Sequence, residues 1–225
     1  MTLKGHVYFL TGAAGGLGSA LTLKLCEQGA DVIVSDKNPK ALNNLCDAIV
    51  ERNLPEPIVY PMNLMGATPD DFIKLSNTIE EKLGKLDALI HTATEFSSLT
   101  PFQHYEPTRW LKEMQVNLNA PLFLTQSLLP LLLKQKGTVI FTLDDKDLIE
   151  SAYWGNYGVS KAAVASFATM LQKEMANQGV RVETITPPPM RTQHRIKAWP
   201  GEASDHLAQP IEIAESYMQL LMPNT

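Results

Sequence analysis

Only two cysteines occur in 225 residues, Cys26 and Cys46, and both fall in apolar stretches with helical spacing. That excludes a disulfide scaffold, and both thiols are expected to be reduced core residues. A basic cluster is also missing: 19 Lys and Arg stand against 24 Asp and Glu, for a formal charge of −5, so no nucleic acid partner is expected. The longest apolar runs, such as Leu128–Leu133, are too short to span a bilayer, and no membrane role is expected. The N-terminus enters a strand-like run at once, leaving no room for a signal peptide, which predicts a cytoplasmic protein. No internal repeat or low-complexity segment is present. An apolar content of 44% with 19% charged residues predicts one globular domain over residues 1–225.

What is present is a glycine-rich segment, Thr11-Gly12-Ala13-Ala14-Gly15-Gly16-Leu17-Gly18, between two different periodicities. The run His6–Leu10 before it is apolar, β-branched and aromatic, as in a buried parallel strand. After it, Leu17, Ala20, Leu21, Leu25 and Cys26 recur at helical spacing and stop before Gly29. A strand, a glycine turn and a helix N-terminus form a phosphate cradle, because glycines admit close backbone approach and the helix end offers free N–H groups. No Gly-Lys-Ser/Thr follows, which excludes P-loop chemistry.

The alternation continues along the chain. Strands are predicted at Val7–Leu10, Val32–Ser35, Ile58–Tyr60, Leu86–His91, Val139–Leu143 and Val180–Ile185. Helices are predicted at Leu17–Gln28, Pro39–Glu51, Pro69–Leu83, Pro107–Leu133, Tyr157–Ala176 and Ile211–Leu221. The stretches Thr92–Tyr105 and Asp144–Gly155 read as loops. This pattern predicts a parallel sheet covered by helices on both faces, with ligands bound beyond the carboxyl ends of the strands.

Three constellations bear on chemistry. Asp36 closes the second strand about 20 residues after the glycine loop, where a carboxylate accepts hydrogen bonds from an adenosine ribose and repels a 2′-phosphate. NAD is thereby favoured and NADP remains possible, since Lys37 follows directly; Asp36 also reads as a helix-capping acid before Asn38-Pro39. Tyr157 and Lys161 stand four residues apart on one helix face, so the ammonium can lower the phenol's pKa for acid–base work. Pro121 cannot donate to the carbonyl of Asn117, which frees that carbonyl inside a helix for water or another donor.

Together Gly12…Gly16-Leu17-Gly18, Val116-Asn117-Leu118-Asn119, Gly137-Thr138-Val139-Ile140 and Tyr157…Lys161 resemble the short-chain dehydrogenase/reductase family over nearly the whole chain. The stretch Asn117–Leu133 with Trp154-Gly155-Asn156-Tyr157 most resembles its uncharacterised YciK-type bacterial branch. The resemblance implies a doubly wound Rossmann fold and hydride transfer between a nicotinamide and a small carbonyl or alcohol substrate. It makes Tyr157 the proton donor or acceptor, Lys161 the residue that holds the nicotinamide ribose, and Asn117 the anchor of a proton-relay water. It further implies cofactor contacts from Gly12, Ala14, Gly15, Gly16, Leu17, Gly18, Asp36, Lys37, Asn63, Leu64, Thr92, Ala93, Pro187 and Thr192. No metal is implied.

The chain departs from the family pattern in several places. The family has a serine thirteen residues before the tyrosine, where this chain has Asp144. An ionised carboxylate cannot donate as a hydroxyl does. Placed about 4 Å from a phenolate, at an effective dielectric near 20, it opposes ionisation by roughly 4 kcal/mol, or about three pKa units. Three alternatives stand: Asp144 is protonated and donates like a serine; it turns toward Lys146 and leaves Thr142 or Ser151 to assist; or the reaction does not occur. Asp144-Asp145 also reads as a loop-initiating pair. The usual Asn-Asn-Ala-Gly after the fourth strand is His91-Thr92-Ala93-Thr94, and the usual Pro-Gly after the sixth is Pro187-Pro188. His91 reads as a hydrogen-bonded core residue rather than a base. Trp154, Trp199 and Phe96 either line an apolar pocket or pack a lid. The chain ends at Met222-Pro223-Asn224-Thr225 with no seventh strand, so six strands are expected, with a homodimer or homotetramer through the long helices possible. Two competing functions follow: an NAD(P)-dependent oxidoreductase, or a catalytically impaired dinucleotide-binding or regulatory protein. A third reading treats the glycine loop as a relic.

Overall fold

The computed structural model describes residues 2–222, so the sequence reading at Pro223–Thr225 lies outside the described residues. Six parallel strands, β1 (Val7–Thr11), β2 (Asp31–Ser35), β3 (Ile58–Val59), β4 (Ala88–His91), β5 (Thr138–Thr142) and β6 (Arg181–Ile185), form one sheet in the order β3-β2-β1-β4-β5-β6. The order reverses at β1, which places the ends of β1 and β4 at a switch point. The expected doubly wound Rossmann architecture, with six strands among the described residues, is present.

Strand side chains alternate between two cores, as the two-residue period requires. Tyr8, Leu10, Val32, Val34, Ile90 and Ile140 face one layer, built from α1 (Gly16–Glu27), α2 (Pro39–Val50) and, later in the chain, α9 (Pro210–Leu221), which packs along α1. Val7, Phe9, Ile33, Leu89, Val139 and Phe141 face the other, built from α3 (Pro69–Leu83), α5 (Ala120–Gln135) and α7 (Gly155–Met175). Cys26 and Cys46 are free and buried. Burial pushes the Cys26 thiol up to about 12 and raises that of Cys46, so neither is a reactive thiolate.

The single helix predicted over Pro107–Leu133 is interrupted. It runs as α4 (Pro107–Met114), a π turn (Gln115–Asn119) and α5, with the Ala120 amide bonded to the Gln115 carbonyl. Pro121 lacks the amide that would continue the regular ladder, and the widened turn sits where that amide is lost. The apolar-run argument against a spanning segment is also corrected: the 29-residue tract Pro107–Gln135 is long and apolar enough by length and composition to cross a membrane. Its apolar face, including Leu124, Leu128 and Leu132, is buried in the second core, as in the central helix of a sheet protein.

The predicted loop Asp144–Gly155 contains a helix, and so does the stretch between β6 and α9, where none is predicted. Asp145 caps α6 (Lys146–Ile149) by accepting the Leu148 amide at 3.0 Å, and Thr192 caps α8 (Gln193–Ala198) by accepting the Arg195 amide at 3.2 Å. Both, at four and six residues, are too short to show an apolar period.

Candidate active site

The glycine loop owes its shape to two contacts that no side chain permits. Gly12 has φ +68°, and a β-carbon there would lie 2.7 Å from the Ala93 backbone; one on Gly18 would strike the Gly12 carbonyl. The loop can therefore lie against the strand end beside it. Thr92 Oγ1 donates to the Thr11 carbonyl at 2.6 Å and the Ala93 amide donates to Thr11 Oγ1 at 3.3 Å, fastening the end of β4 to that of β1. Gly15 opens α1 without a side-chain cap, so its first-turn amides stand free for an anion.

These amides open on a cavity of about 730 Å³ that runs across the switch point to Tyr157 and Lys161. Gly12, Ala14, Gly15, Gly16, Leu17, Gly18, Asp36, Lys37, Asn63, Leu64, Thr92, Ala93, Pro187 and Thr192 all line it, as does Asp144. The glycine cradle, the uncapped helix and the cavity's length fit a dinucleotide.

Asp36 is more occupied than the sequence reading anticipates. Its Oδ2 accepts the Ala14 amide at 3.3 Å and its Oδ1 accepts the Asn38 amide at 3.0 Å, so it ties the glycine loop to the start of α2. The cap of α2 is Asn38, which accepts the Ala41 amide at 3.1 Å, and not Asp36. Lys37 bridges to Glu95 at 2.6 Å, across the mouth of the cavity. Asn63 turns its oxygen to the Met65 amide at 3.1 Å.

Asn117 lies behind the cavity wall. Its side-chain oxygen accepts the Glu95 amide at 2.7 Å and the Thr94 hydroxyl at 3.3 Å, while its amide donates to the Glu95 carbonyl at 2.8 Å. It therefore shapes the loop after β4. His91 is buried, bonds Thr125 Oγ1 at 2.9 Å and stacks on Phe141; burial, then the nearby Lys161 charge, push its pKa down to about 3.

At the far end, Tyr157 is buried and its hydroxyl donates to Asp144 Oδ2 at 2.7 Å. Burial, then the Asp144 charge and this bond, hold the phenol well above its ordinary value. Lys161 donates to the Thr142 carbonyl at 2.8 Å; burial pushes it down to about 8 against the opposing pull of Asp144. The alternative in which Asp144 turns to Lys146 is corrected, because Lys146 faces Glu150 at 3.9 Å. Of the two proposed substitute donors, Ser151 is engaged, donating to the Asp147 carbonyl at 2.8 Å, and Thr142 Oγ1 pairs with the Tyr217 hydroxyl at 2.9 Å, where either can donate.

Aromatic rings surround Tyr157. Phe96 lies 5.4 Å from it, Trp154 5.5 Å and His194 5.2 Å, and Trp199 packs on Trp154 at 5.4 Å. Phe96 and Trp199 line the cavity while Trp154 backs them. Sequence reasoning missed His194, whose Nε2 is buried without a partner among the described residues. It also missed Glu113, buried on α4 and held by Arg109 at 3.0 Å and by the Ser97 hydroxyl. The i, i+4 spacing of Arg109 and Glu113 carried that signal; a lone histidine on the short helix α8 carried none.

Comparison with known proteins agrees with this geometry. The sequence profile for short chain dehydrogenases matches residues 6–203. The uncharacterised oxidoreductase YciK of Escherichia coli K12 is 32% identical over 220 residues, covering 97% of this chain and 87% of that one. A Shigella flexneri 2a chain complexed with NADP superposes with a TM-score of 0.94 at 31% identity, covering 98% of this chain and 92% of that one. An Escherichia coli CFT073 chain complexed with NADPH gives 0.94 at 32% identity over the same shares. By sequence and by fold, this chain belongs to the short chain dehydrogenase family.

Proposed function

We propose that residues 1–225 act as one dinucleotide-binding domain of an oxidoreductase that moves hydride to or from a small molecule. The observation that carries this is the single cavity joining the uncapped N-terminus of α1 to Tyr157 and Lys161. A bound nicotinamide dinucleotide supplies or accepts the hydride. The free amides of Gly16, Leu17 and Gly18 hold its pyrophosphate, and Asn63 and Leu64 border its adenine. Asp36 favours an unmodified ribose, whereas Lys37 offers a cation to a 2′-phosphate. The two similar structures complexed with NADP and NADPH support the phosphorylated form. Thr92, Ala93, Pro187 and Thr192 flank the nicotinamide end, and Lys161 holds that ribose. Tyr157 exchanges the substrate proton under the influence of Lys161 and Asp144, and Asn117 keeps the wall beside them in shape.

Fluorescence titration with NADPH and NADH tests the reading: saturable binding of at least one is expected, and Gly18→Val, whose side chain would strike the Gly12 carbonyl, should abolish it. Absence of binding at millimolar concentration would overturn it. The bond from Tyr157 to Asp144 favours a second reading, a dinucleotide-binding protein with little turnover on carbonyls. Tyr157→Phe separates the two on a carbonyl or alcohol substrate, since only an active site that takes its proton from Tyr157 loses turnover there. Exposed Leu111 on α4 and exposed Val159 and Met170 on α7 support self-association through the long helices; light scattering should give a dimer or tetramer at micromolar concentration, and a monomer refutes it. Free, buried thiols support a cytoplasmic setting.

A further inference from the structure

A group reacting beside Tyr157 meets the Asp144 carboxylate. The phenol proton is committed to Asp144 Oδ2 at 2.7 Å, and Asp144 Oδ1 accepts the Asp145 amide at 2.8 Å. A carboxylate offers about four lone-pair positions, so roughly two stay open, while the Thr94 hydroxyl reaches the Tyr157 oxygen. Donors stand nearby as well: Lys161 gives one of its three N–H groups to the Thr142 carbonyl, Thr142 and Tyr217 pair with either able to donate, Thr94 reaches both Asn117 and the phenol, and His194 Nε2 has no partner among the described residues. Among the cations of α8, Arg195 is held by both oxygens of Glu202 at 2.6 and 2.7 Å, and Lys197 is exposed, where solvent and salt screen it. A serine in place of Asp144 would leave Lys161 as a net positive charge at the reacting centre; the carboxylate offsets it.

Aromatic surface completes the pocket. Phe96, Trp199 and the Tyr157 ring line the same end of the cavity as Asp144. Ring faces attract cations, and Arg195 already lies 3.5 Å over Trp199. A carboxylate with open lone pairs beside aromatic rings suits an organic cation that donates N–H, and opposes an oxyanion.

We propose that the reacting group of the substrate is a protonated C=N bond, an iminium ion on a small apolar framework, with Asp144 as the residue that selects it. The proposal deepens the oxidoreductase reading and rests on its hydride transfer, while Tyr157 keeps the proton that reduction of a carbonyl would take from it. The substrate carbon takes up hydride from a reduced nicotinamide and forms the C–H bond, the C=N π pair moves onto nitrogen and cancels its charge, and the nicotinamide is left oxidised. The product is a neutral amine. No proton has to be delivered, so a phenol proton held on Asp144 is no obstacle.

The test uses the full chain without nucleotide. Calorimetric titration with cyclohexylammonium chloride and with cyclohexanol compares a cation with a neutral molecule of matched shape, in the wild type, Asp144→Asn and Asp144→Ser. The ammonium should bind at least about tenfold more tightly than the alcohol in the wild type, with the preference falling below about threefold in both variants. Equal or tighter alcohol binding, no ammonium binding, or a preference that survives both substitutions would overturn the proposal. A second arm compares reduction of 1-pyrroline and cyclopentanone with NADPH; faster cyclopentanone turnover also overturns it. A parallel NADPH titration keeps the two claims apart, because lost nucleotide binding with an intact ammonium preference removes the oxidoreductase reading and spares the cation pocket.

Discussion

Replacing Asp144 with serine should move the ionisation of Tyr157 further than any other single change at this site. The carboxylate oxygen lies 2.7 Å from the phenol oxygen. Two unit charges about 3–4 Å apart interact by roughly 4–6 kcal/mol at an effective dielectric of 20, equivalent to about three to four pKa units. Asp144 is only partly buried, so solvent screening reduces this, and a drop of about two units is the least expected. Burial of Tyr157 persists and keeps part of its upward displacement. Asp144 also supports the protonated form of Lys161, so the same substitution moves Lys161 below about 8. Both groups therefore shift in one direction. Ultraviolet titration of tyrosinate reads the first shift, with Asp144→Ser/Tyr157→Phe subtracted to isolate one of the six tyrosines. The pH–rate profile for carbonyl reduction reads the second: its alkaline limb should move to lower pH, and turnover at neutral pH should rise about tenfold or more as the phenol becomes a better acid. A Tyr157 ionisation unmoved by the serine would show that Asp144 carries no charge beside it, and the electrostatic reasoning would fail.

Further outcomes are expected elsewhere. Arg109→Ala leaves the buried Glu113 carboxylate without its cation and should destabilise the fold by about 3 kcal/mol in urea unfolding, with Glu113→Gln added to the same chain restoring part of the loss; a change under about 0.5 kcal/mol would contradict this. His91 is held neutral in the fold down to about pH 3, whereas an unfolded histidine takes up its proton near pH 6.5. The unfolded state thus binds more protons across that window, stability falls as pH drops from 6.5 toward 3, and His91→Gln should flatten the decline in acid unfolding curves. Lys37→Ala should weaken NADPH binding about tenfold and leave NADH within a factor of about two; equal losses would exclude Lys37 from 2′-phosphate recognition.

Much of this molecule is legible in the sequence because the forces involved repeat along the chain. Alternating strand and helix periods set the sheet, and the two-residue period divides Tyr8 and Leu10 from Val7 and Phe9. The missing amide of Pro121 announces the disturbed helix, though not that it widens into a π turn. Where one residue acts alone, sequence leaves its direction open. Asp36 could serve a ribose or a helix; only the return of the glycine loop shows that it also accepts the Ala14 amide. The short helices α6 and α8 depend on Asp145 and Thr192 as caps and lack any apolar period to reveal them.

Asp144 is the sharpest case of this limit. Its spacing from Tyr157 brings the two side chains together, but spacing does not say which of them gives the proton. The fold answers through the surrounding bonds: the Asp145 amide takes one carboxylate oxygen, Lys161 is turned to the Thr142 carbonyl, and the phenol donates to the other oxygen. The direction of that bond places a carboxylate that accepts where the family pattern has a hydroxyl that can donate, and a negative oxygen developing beside it meets a like charge.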